Sequence, residues 1–202
     1  MLEHAPSADL VLGEENISIS EQHAWDNLKQ EIKGEVMALE DIVVHKKTDG
    51  MAWGAVYAQY LEQMDKVDTF SNALSVSRTL LKNGTVISPD ALKVGNRITV
   101  RLTVSVDRDM DFVQIKDERS ACMEPVDVLS SYCWRNGIGY CQVTKDASTF
   151  FFFDQMRKGT HVLEYDAYIM AEGEYQQGIV SVQSVYTPEF GGHSASQRMI
   201  VK

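Results

Sequence analysis

The segment Arg97-Ile98-Thr99-Val100-Arg101-Leu102-Thr103-Val104-Ser105-Val106 alternates without a break between polar and apolar side chains. In an extended chain successive side chains project to opposite faces. Ile98, Val100, Leu102, Val104 and Val106 therefore share one face, and Arg97, Thr99, Arg101, Thr103 and Ser105 share the other. A strand so patterned is buried on one side and wet on the other, as in an antiparallel sheet laid over a single core.

Shorter stretches rich in Val, Ile, Thr, Tyr and Phe repeat the pattern on both sides. They predict strands at 74–81, 111–116, 128–134, 138–144, 149–154, 161–170, 179–186 and 197–201, with turn residues between most of them. Asn136-Gly137 joins two of these segments and predicts a hairpin with a type I′ turn. Eight or nine short strands from Leu74 to the end of the 202-residue chain are the pattern of a two-sheet sandwich. Before Leu74, strands are expected at 9–13, 16–20, 28–32 and 41–47, then a turn at Thr48-Asp49-Gly50. Residues 51–64 read as a strand with Trp53, Ala55, Tyr57 and Gln59 on one face, although Trp53, Tyr57, Tyr60 and Met64 also fit a helical spacing. The polar stretch 65–73 places a domain boundary near Phe70. The expected fold is all-β: an immunoglobulin-like antiparallel β-sandwich over residues 71–202, preceded by a small antiparallel β-domain over residues 1–70.

Composition narrows the function. Hydrophobic residues make up 44% of the chain and charged residues 24%, which suits a globular protein. Asp and Glu outnumber Lys and Arg by 29 to 19, so the basic patch that phosphate neutralisation requires is not expected, and neither is a nucleic-acid partner. No stretch approaches the roughly 18 consecutive apolar residues of a membrane span. Residues 1–6 lack the basic and apolar signature of a signal peptide. The expectation is a cytosolic protein, or an N-terminus internal to a longer exported precursor.

Templates for chemistry fail on residue type or spacing. There is no glycine-rich strand-to-helix loop and no Gly-x-Ser-x-Gly elbow. His4, His23, His45, His161 and His193 are scattered, and Cys122, Cys133 and Cys141 match no zinc or redox spacing. If Cys133 and Cys141 lie on paired strands they could reach bonding distance; reduced, half-buried thiols are the favoured expectation. Asp107, Asp109 and Asp111 alternate as in a calcium loop, but without its sharp-turn glycine and closing glutamate, and a solvated turn is favoured. No catalytic, cofactor or metal residue is expected.

The sharpest apolar feature is Phe150-Phe151-Phe152-Phe153. Four consecutive aromatics on a strand must bury both faces. Either a loop or neighbouring strand covers the outer face, or that face is a docking surface for another domain. Trp53, Tyr57, Phe151 and Phe153 are the candidate docking aromatics.

Several segments carry a family resemblance. They are Asp107-Arg108-Asp109-Met110-Asp111-Phe112-Val113, Ala121-Cys122-Met123-Glu124-Pro125-Val126, Leu129-Ser130-Ser131-Tyr132, Gly139-Tyr140, and Asp146-Ala147-Ser148-Thr149 leading to Phe151-Phe152-Phe153. Lys158-Gly159-Thr160, Val162-Leu163-Glu164-Tyr165, Gly178-Ile179 and Tyr186-Thr187-Pro188-Glu189-Phe190 continue the match. Together they resemble the last macroglobulin-like domain of the alpha-2-macroglobulin family proteins of Bacteroides-type bacteria. Trp53-Gly54-Ala55-Val56-Tyr57, with Gln59-Tyr60 after it, resembles the stretch that joins the preceding β-domain to that final domain. Ala58, Leu61 and Cys141 depart from the pattern, standing where the family often carries aromatics.

The resemblance implies the C-terminal end of a protease trap of the cell envelope, in which a bait segment is cut and the molecule collapses round the protease. An internal thioester, where present, needs a Cys-x-x-Gln frame. Here the third residue after each cysteine is Pro125, Asn136 or Thr144, so that chemistry is not expected in this chain. The implied role is a non-enzymatic scaffold and interaction region whose partners are neighbouring domains of the parent and, through them, proteases. The alternative is a stand-alone immunoglobulin-like adhesion or ligand-binding module.

Overall fold

The computed structural model describes residues 8–12, 15–19, 42–46, 63–135 and 137–202. The chain divides into two compact units, Met1–Leu61 and Glu62–Lys202. In the first, strands β1 (Ala8–Leu12), β2 (Glu15–Ile19) and β3 (Ile42–Lys46) form an antiparallel sheet in the order β2-β1-β3. Three of the strands expected there are thus present. The one expected at 28–32, and 51–62 of the one expected at 51–64, lie outside the described residues. Met64 itself opens a short 3-10 turn, Met64–Lys66, rather than ending a strand.

The second unit contains β4 (Phe70–Asn72), β5 (Leu74–Lys82), β6 (Thr85–Val86), β7 (Arg97–Val106), β8 (Met110–Glu118), β9 (Met123–Pro125), β10 (Ser131–Arg135) and β11 (Ile138–Thr144). It continues with β12 (Ser148–Met156), β13 (Gly159–Ile169), β14 (Gly173–Gln177), β15 (Val180–Ser184), β16 (Gly191–His193) and β17 (Gln197–Val201). One hydrogen-bonded path runs β10-β11-β12-β8-β15-β16-β4-β5-β7-β13-β9, with β6 beside β5 and a separate β14-β17 pair. All these pairings are antiparallel. The path bends through the short β16 and β4, so that β10, β11, β12, β8 and β15 make one layer of a sandwich and β5, β7, β13 and β9 the other.

The expected alternation holds on β7, where Ile98, Val100, Leu102, Val104 and Val106 are all buried. They meet Leu163, Ala167 and Ile169 of β13 and Val113 and Ile115 of β8 in one continuous core. Thirteen strands follow from Leu74 rather than eight or nine; β6, β9, β14 and β16 were not legible as strands. They are short, and β9 contains a proline and β16 two glycines, so their pairing comes from their neighbours rather than from their own propensity. The strand expected at 128–134 begins only at Ser131. Val126 donates to the Asp166 carbonyl at 3.0 Å, tying the chain to the opposite layer. Residues 127–130 are therefore the crossing between layers and cannot also join the ladder.

The corner of the sandwich needs glycine. A Cβ on Gly192 would lie 2.4 Å from the Leu74 carbonyl oxygen and 2.7 Å from that of Phe70, both backbone atoms that cannot give way. On Gly139 the nearest atoms would be the ends of the exposed Tyr132 and Trp134 side chains. Gly192→Ala is therefore expected to cost about 1–3 kcal/mol or more in urea unfolding, and Gly139→Ala well under that. Equal costs would contradict the corner geometry.

Candidate interaction surfaces and the buried charge

The parity of β12 decides what the aromatic run can do. Its register sets Phe151 against Ile115 and Phe153 against Val113, and both rings enter the core at 0% and 2% exposure. Tyr140 lies 5.7 Å from the Phe151 ring and 5.4 Å from that of Phe153, and Tyr165 closes the cluster at 6.2 Å from Phe151. Phe151 and Phe153 are thus structural, which corrects the expectation that they dock another domain. Trp53 and Tyr57 lie outside the described residues.

The outward pair is Phe150 and Phe152, stacked at 6.1 Å with an interplanar angle of 5°. Cys141 pairs with both Phe152 and Tyr132 in the ladder, which puts Phe152, Cys141 and Tyr132 in a row across the outer face. Trp134 lies beside them, opposite Gly139. Tyr132 is 65% and Trp134 69% exposed, and Val128 and Leu129 are exposed just before the strand. No loop or strand among the described residues covers this aromatic surface. Sequence reading missed Tyr132 and Trp134, though their shared parity on a five-residue strand was available as a signal.

All three cysteines are free thiols: Cys122 buried, Cys133 half-buried and Cys141 exposed. Cys133 and Cys141 do lie on paired strands, but their partners are Tyr140 and Tyr132 respectively. That one-residue offset puts the two sulfurs on opposite faces. The aspartates at the β7–β8 turn are engaged separately. Asp107 accepts from Arg108 at 2.9 Å, Asp109 from the Lys158 amide at 2.7 Å, and Asp111 from Gln155 at 3.4 Å. Among the described residues no three His, Cys, Asp or Glu side chains converge as a metal site.

Beside that turn, Phe112 adopts φ 51°, a left-handed conformation rare for an aromatic residue. Its ring meets Tyr186 edge-on at 5.1 Å, and Arg108 lies 5.1 Å from the centre of the Phe190 ring.

The interior holds one feature of another kind. On β5 the inward positions read Leu74, Val76, Arg78, Leu80, and on β8 Val113, Ile115, Asp117. A charge stands where each apolar series calls for an aliphatic residue. The Arg78 guanidinium crosses the sandwich to donate to Asp117, to the Glu118 carbonyl at 3.0 Å and to the Gly178 carbonyl. Tyr165 of β13 donates to the other Asp117 oxygen at 2.7 Å. Arg119 stands nearby, donating to Thr149 at 2.5 Å and to the Lys145 and Asp146 carbonyls. Burial pushes the Asp117 carboxyl above its ordinary value, and Arg78 and the Tyr165 hydroxyl pull it part of the way back. Burial, reinforced by the neighbouring Asp117 charge, holds the Tyr165 phenol well above its ordinary value. Such a site has no open cleft and no nucleophile in it; its role is to join the layers.

The fold is that of a macroglobulin-type antiparallel β-sandwich. A family model described as the bacterial alpha-2-macroglobulin MG10 domain matches residues 74–189. The chain belongs to that family. Among solved structures, it is similar to native Escherichia coli alpha-2-macroglobulin from domain MG7 to the C-terminus, at 16% identity and a TM-score of 0.58, covering 97% of this chain and 33% of that one. Escherichia coli alpha-2-macroglobulin activated by porcine elastase matches at 17% identity and 0.61, covering 98% and 18%. Salmonella alpha-2-macroglobulin reacted with methylamine matches at 17% and 0.58, covering 100% and 13%. The chain thus spans a third or less of each of these structures. A search of curated proteins finds no match. Among the described residues, no helix is long and apolar enough to cross a membrane.

Removing one member of a buried ion pair strands the other, at a cost of about 3–5 kcal/mol. Asp117→Leu is expected to cost that much in chemical denaturation, and Arg78→Met, Asp117→Leu and Tyr165→Phe together considerably less. Arg78→Met alone makes Asp117 fold protonated, while the unfolded chain ionises it above its ordinary value of 3.8. The folded state then binds more protons, so the variant's stability should fall by up to about 1.4 kcal/mol per pH unit above that value, until the folded carboxyl itself ionises. A pH-independent cost of the Arg78→Met change would show that Asp117 ionises without its partner.

Proposed function

We propose that this chain is the non-enzymatic C-terminal scaffold and interaction region of a bacterial alpha-2-macroglobulin-like endopeptidase inhibitor of the cell envelope, of the Bacteroides type. Residues 1–70 are read as part of a split β-domain of the parent, and residues 71–202 as its final macroglobulin-like domain. The observation that carries this reading is the MG10 match over residues 74–189 on a sandwich whose buried Arg78–Asp117 pair ties its own two layers together. The absence of a Cys-x-x-Gln frame supports it, since covalent capture would then belong to another part of the parent. The exposed aromatics of the outer face suit contact with neighbouring domains, and through them the response to a protease.

The exposed Tyr132 and Trp134 favour a second reading, a stand-alone adhesion or ligand-binding module. The two readings differ in what the chain needs in order to act. On the first, the isolated chain in large molar excess should leave trypsin cleavage of a small chromogenic peptide unchanged and should hydrolyse no casein. The parent polypeptide, once cut, should retain trypsin in a complex that is lost when residues 71–202 are deleted. Inhibition or hydrolysis by the isolated chain, or undiminished retention by the truncated parent, would sink the proposal.

A further inference from the structure

The sandwich is entered through a segment that buries almost nothing. From Gln63 to Asn72 the described side chains are exposed, save the half-buried Val67. The core begins after them, with Ala73 packed against it and Leu74 buried inside it. This segment holds the short turn Met64–Lys66 and all of β4, and it leads from the first unit, Met1–Leu61, into the second.

Its attachments are few and lie at the surface. β4 pairs with β16 at three positions, Phe70 with His193, Ser71 with Gly192 and Asn72 with Gly191. It meets β5 at one, Asn72 with Leu74, where the chain doubles back. Beyond the ladder, the Ser196 amide donates to the Val67 carbonyl at 3.3 Å, and the Asn72 side-chain amide donates to the Glu189 carbonyl at 2.6 Å. The Phe70 ring leans on the His193 imidazole at 5.9 Å, yet Phe70 remains 55% exposed. A hydrogen bond that water can replace contributes little net stability, and little hydrophobic burial adds to it here. β7 is the contrast. It is laddered to β13 and to β5 along almost its whole length, with Ile98, Val100, Leu102, Val104 and Val106 in the core.

The turn that ends the segment is strained. Ala73 has φ 61°, in the left-handed region that a side chain disfavours. Its carbonyl accepts from the Asp107 amide at 3.1 Å, which ties the turn itself to the sandwich. Once β4 leaves β16, Ala73 is free to return to an ordinary φ, so opening relieves a strain that closure imposes.

We propose that residues 63–72 are a releasable strap: β4 peels from β16 about Ala73 while residues 74–202 stay folded. Opening adds roughly 30 Å of free chain to the connection, at about 3.3 Å per residue, so the first unit can be displaced without unfolding the sandwich. The strap is a property of this chain alone and does not depend on the parent protein assigned to it above.

The test uses the full 202-residue chain. In native-state hydrogen exchange the amides shared by β4 and β16 should be less protected than those of β7 by on the order of 100-fold, at rates that low urea leaves unchanged, because a local opening exposes little surface. Chymotrypsin in native buffer should cut after Phe70 and leave a fragment 71–202 that melts within a few degrees of the intact sandwich. Phe70→Cys with His193→Cys, in a chain also carrying Cys141→Ser, places two thiols at partner positions within the span of a disulfide. Oxidation by diamide, which takes up the two protons and two electrons of the thiols, should raise the protection of those amides by about tenfold or more, and reduction should reverse it. Protection of β4 equal to that of β7, or lost only in step with global unfolding as urea rises, would overturn the proposal. So would cleavage after Phe70 no faster than after the core residue Phe153, a fragment that no longer melts cooperatively, or exchange that the closed disulfide leaves unchanged.

Discussion

The sandwich depends on one buried polar contact that crosses between its two layers. Arg78 reaches from β5 to Asp117 on β8, and Tyr165 reaches the same carboxylate from β13. Three strands from two layers are thus referred to a single group. An aliphatic core tolerates sliding of one layer over another, because dispersion and burial are non-directional. A guanidinium held by a carboxylate and two carbonyls does not, since a shift of one residue would leave a buried charge without partners. The network therefore selects the register in which the inward side chains of β7 and β8 share one core, at the expense of desolvating two charges.

The same register settles where the surface chemistry falls. Side chains on β12 alternate, so once Thr149 is set beside Asp117 in the ladder, Phe151 and Phe153 must enter the core and Phe150 and Phe152 must face out. The outer aromatics continue through Cys141 to Tyr132 because β11 and β10 are added in the order the two hairpins dictate. What looks in sequence like one apolar run of four residues is two half-surfaces with different work. One is packed into the core, the other faces outward.

Closure of the molecule is a matter of backbone approach. The continuous sheet turns its corner through β16 and β4, where Gly192 lets the carbonyls of Leu74 and Phe70 come closer than any side chain would permit. That corner brings β15 and β5 into opposite layers while leaving the path from β10 to β9 unbroken. One end carries a proline. The other carries the exposed aromatics Tyr132 and Trp134.

Strand content, the buried face of β7 and the antiparallel pairing of β10 with β11 were legible because alternation and turn chemistry act over a few residues. Fold class followed from them; the family resemblance rested instead on longer segments such as Asp107–Val113 and Tyr186–Phe190, and the match over residues 74–189 agrees with it as far as the bacterial alpha-2-macroglobulin family. The strand expected at 128–134 was too long by three residues, since its beginning is a crossing held by a hydrogen bond to a distant carbonyl. Arg78 and Asp117 are 39 residues apart, and nothing local pairs them, although each interrupts an apolar series that sequence alone displays. Which phenylalanines are buried and that Cys133 and Cys141 lie on opposite faces depend on register and strand order. Those are properties of pairings between residues far apart in the chain, and only the tertiary structure decides them.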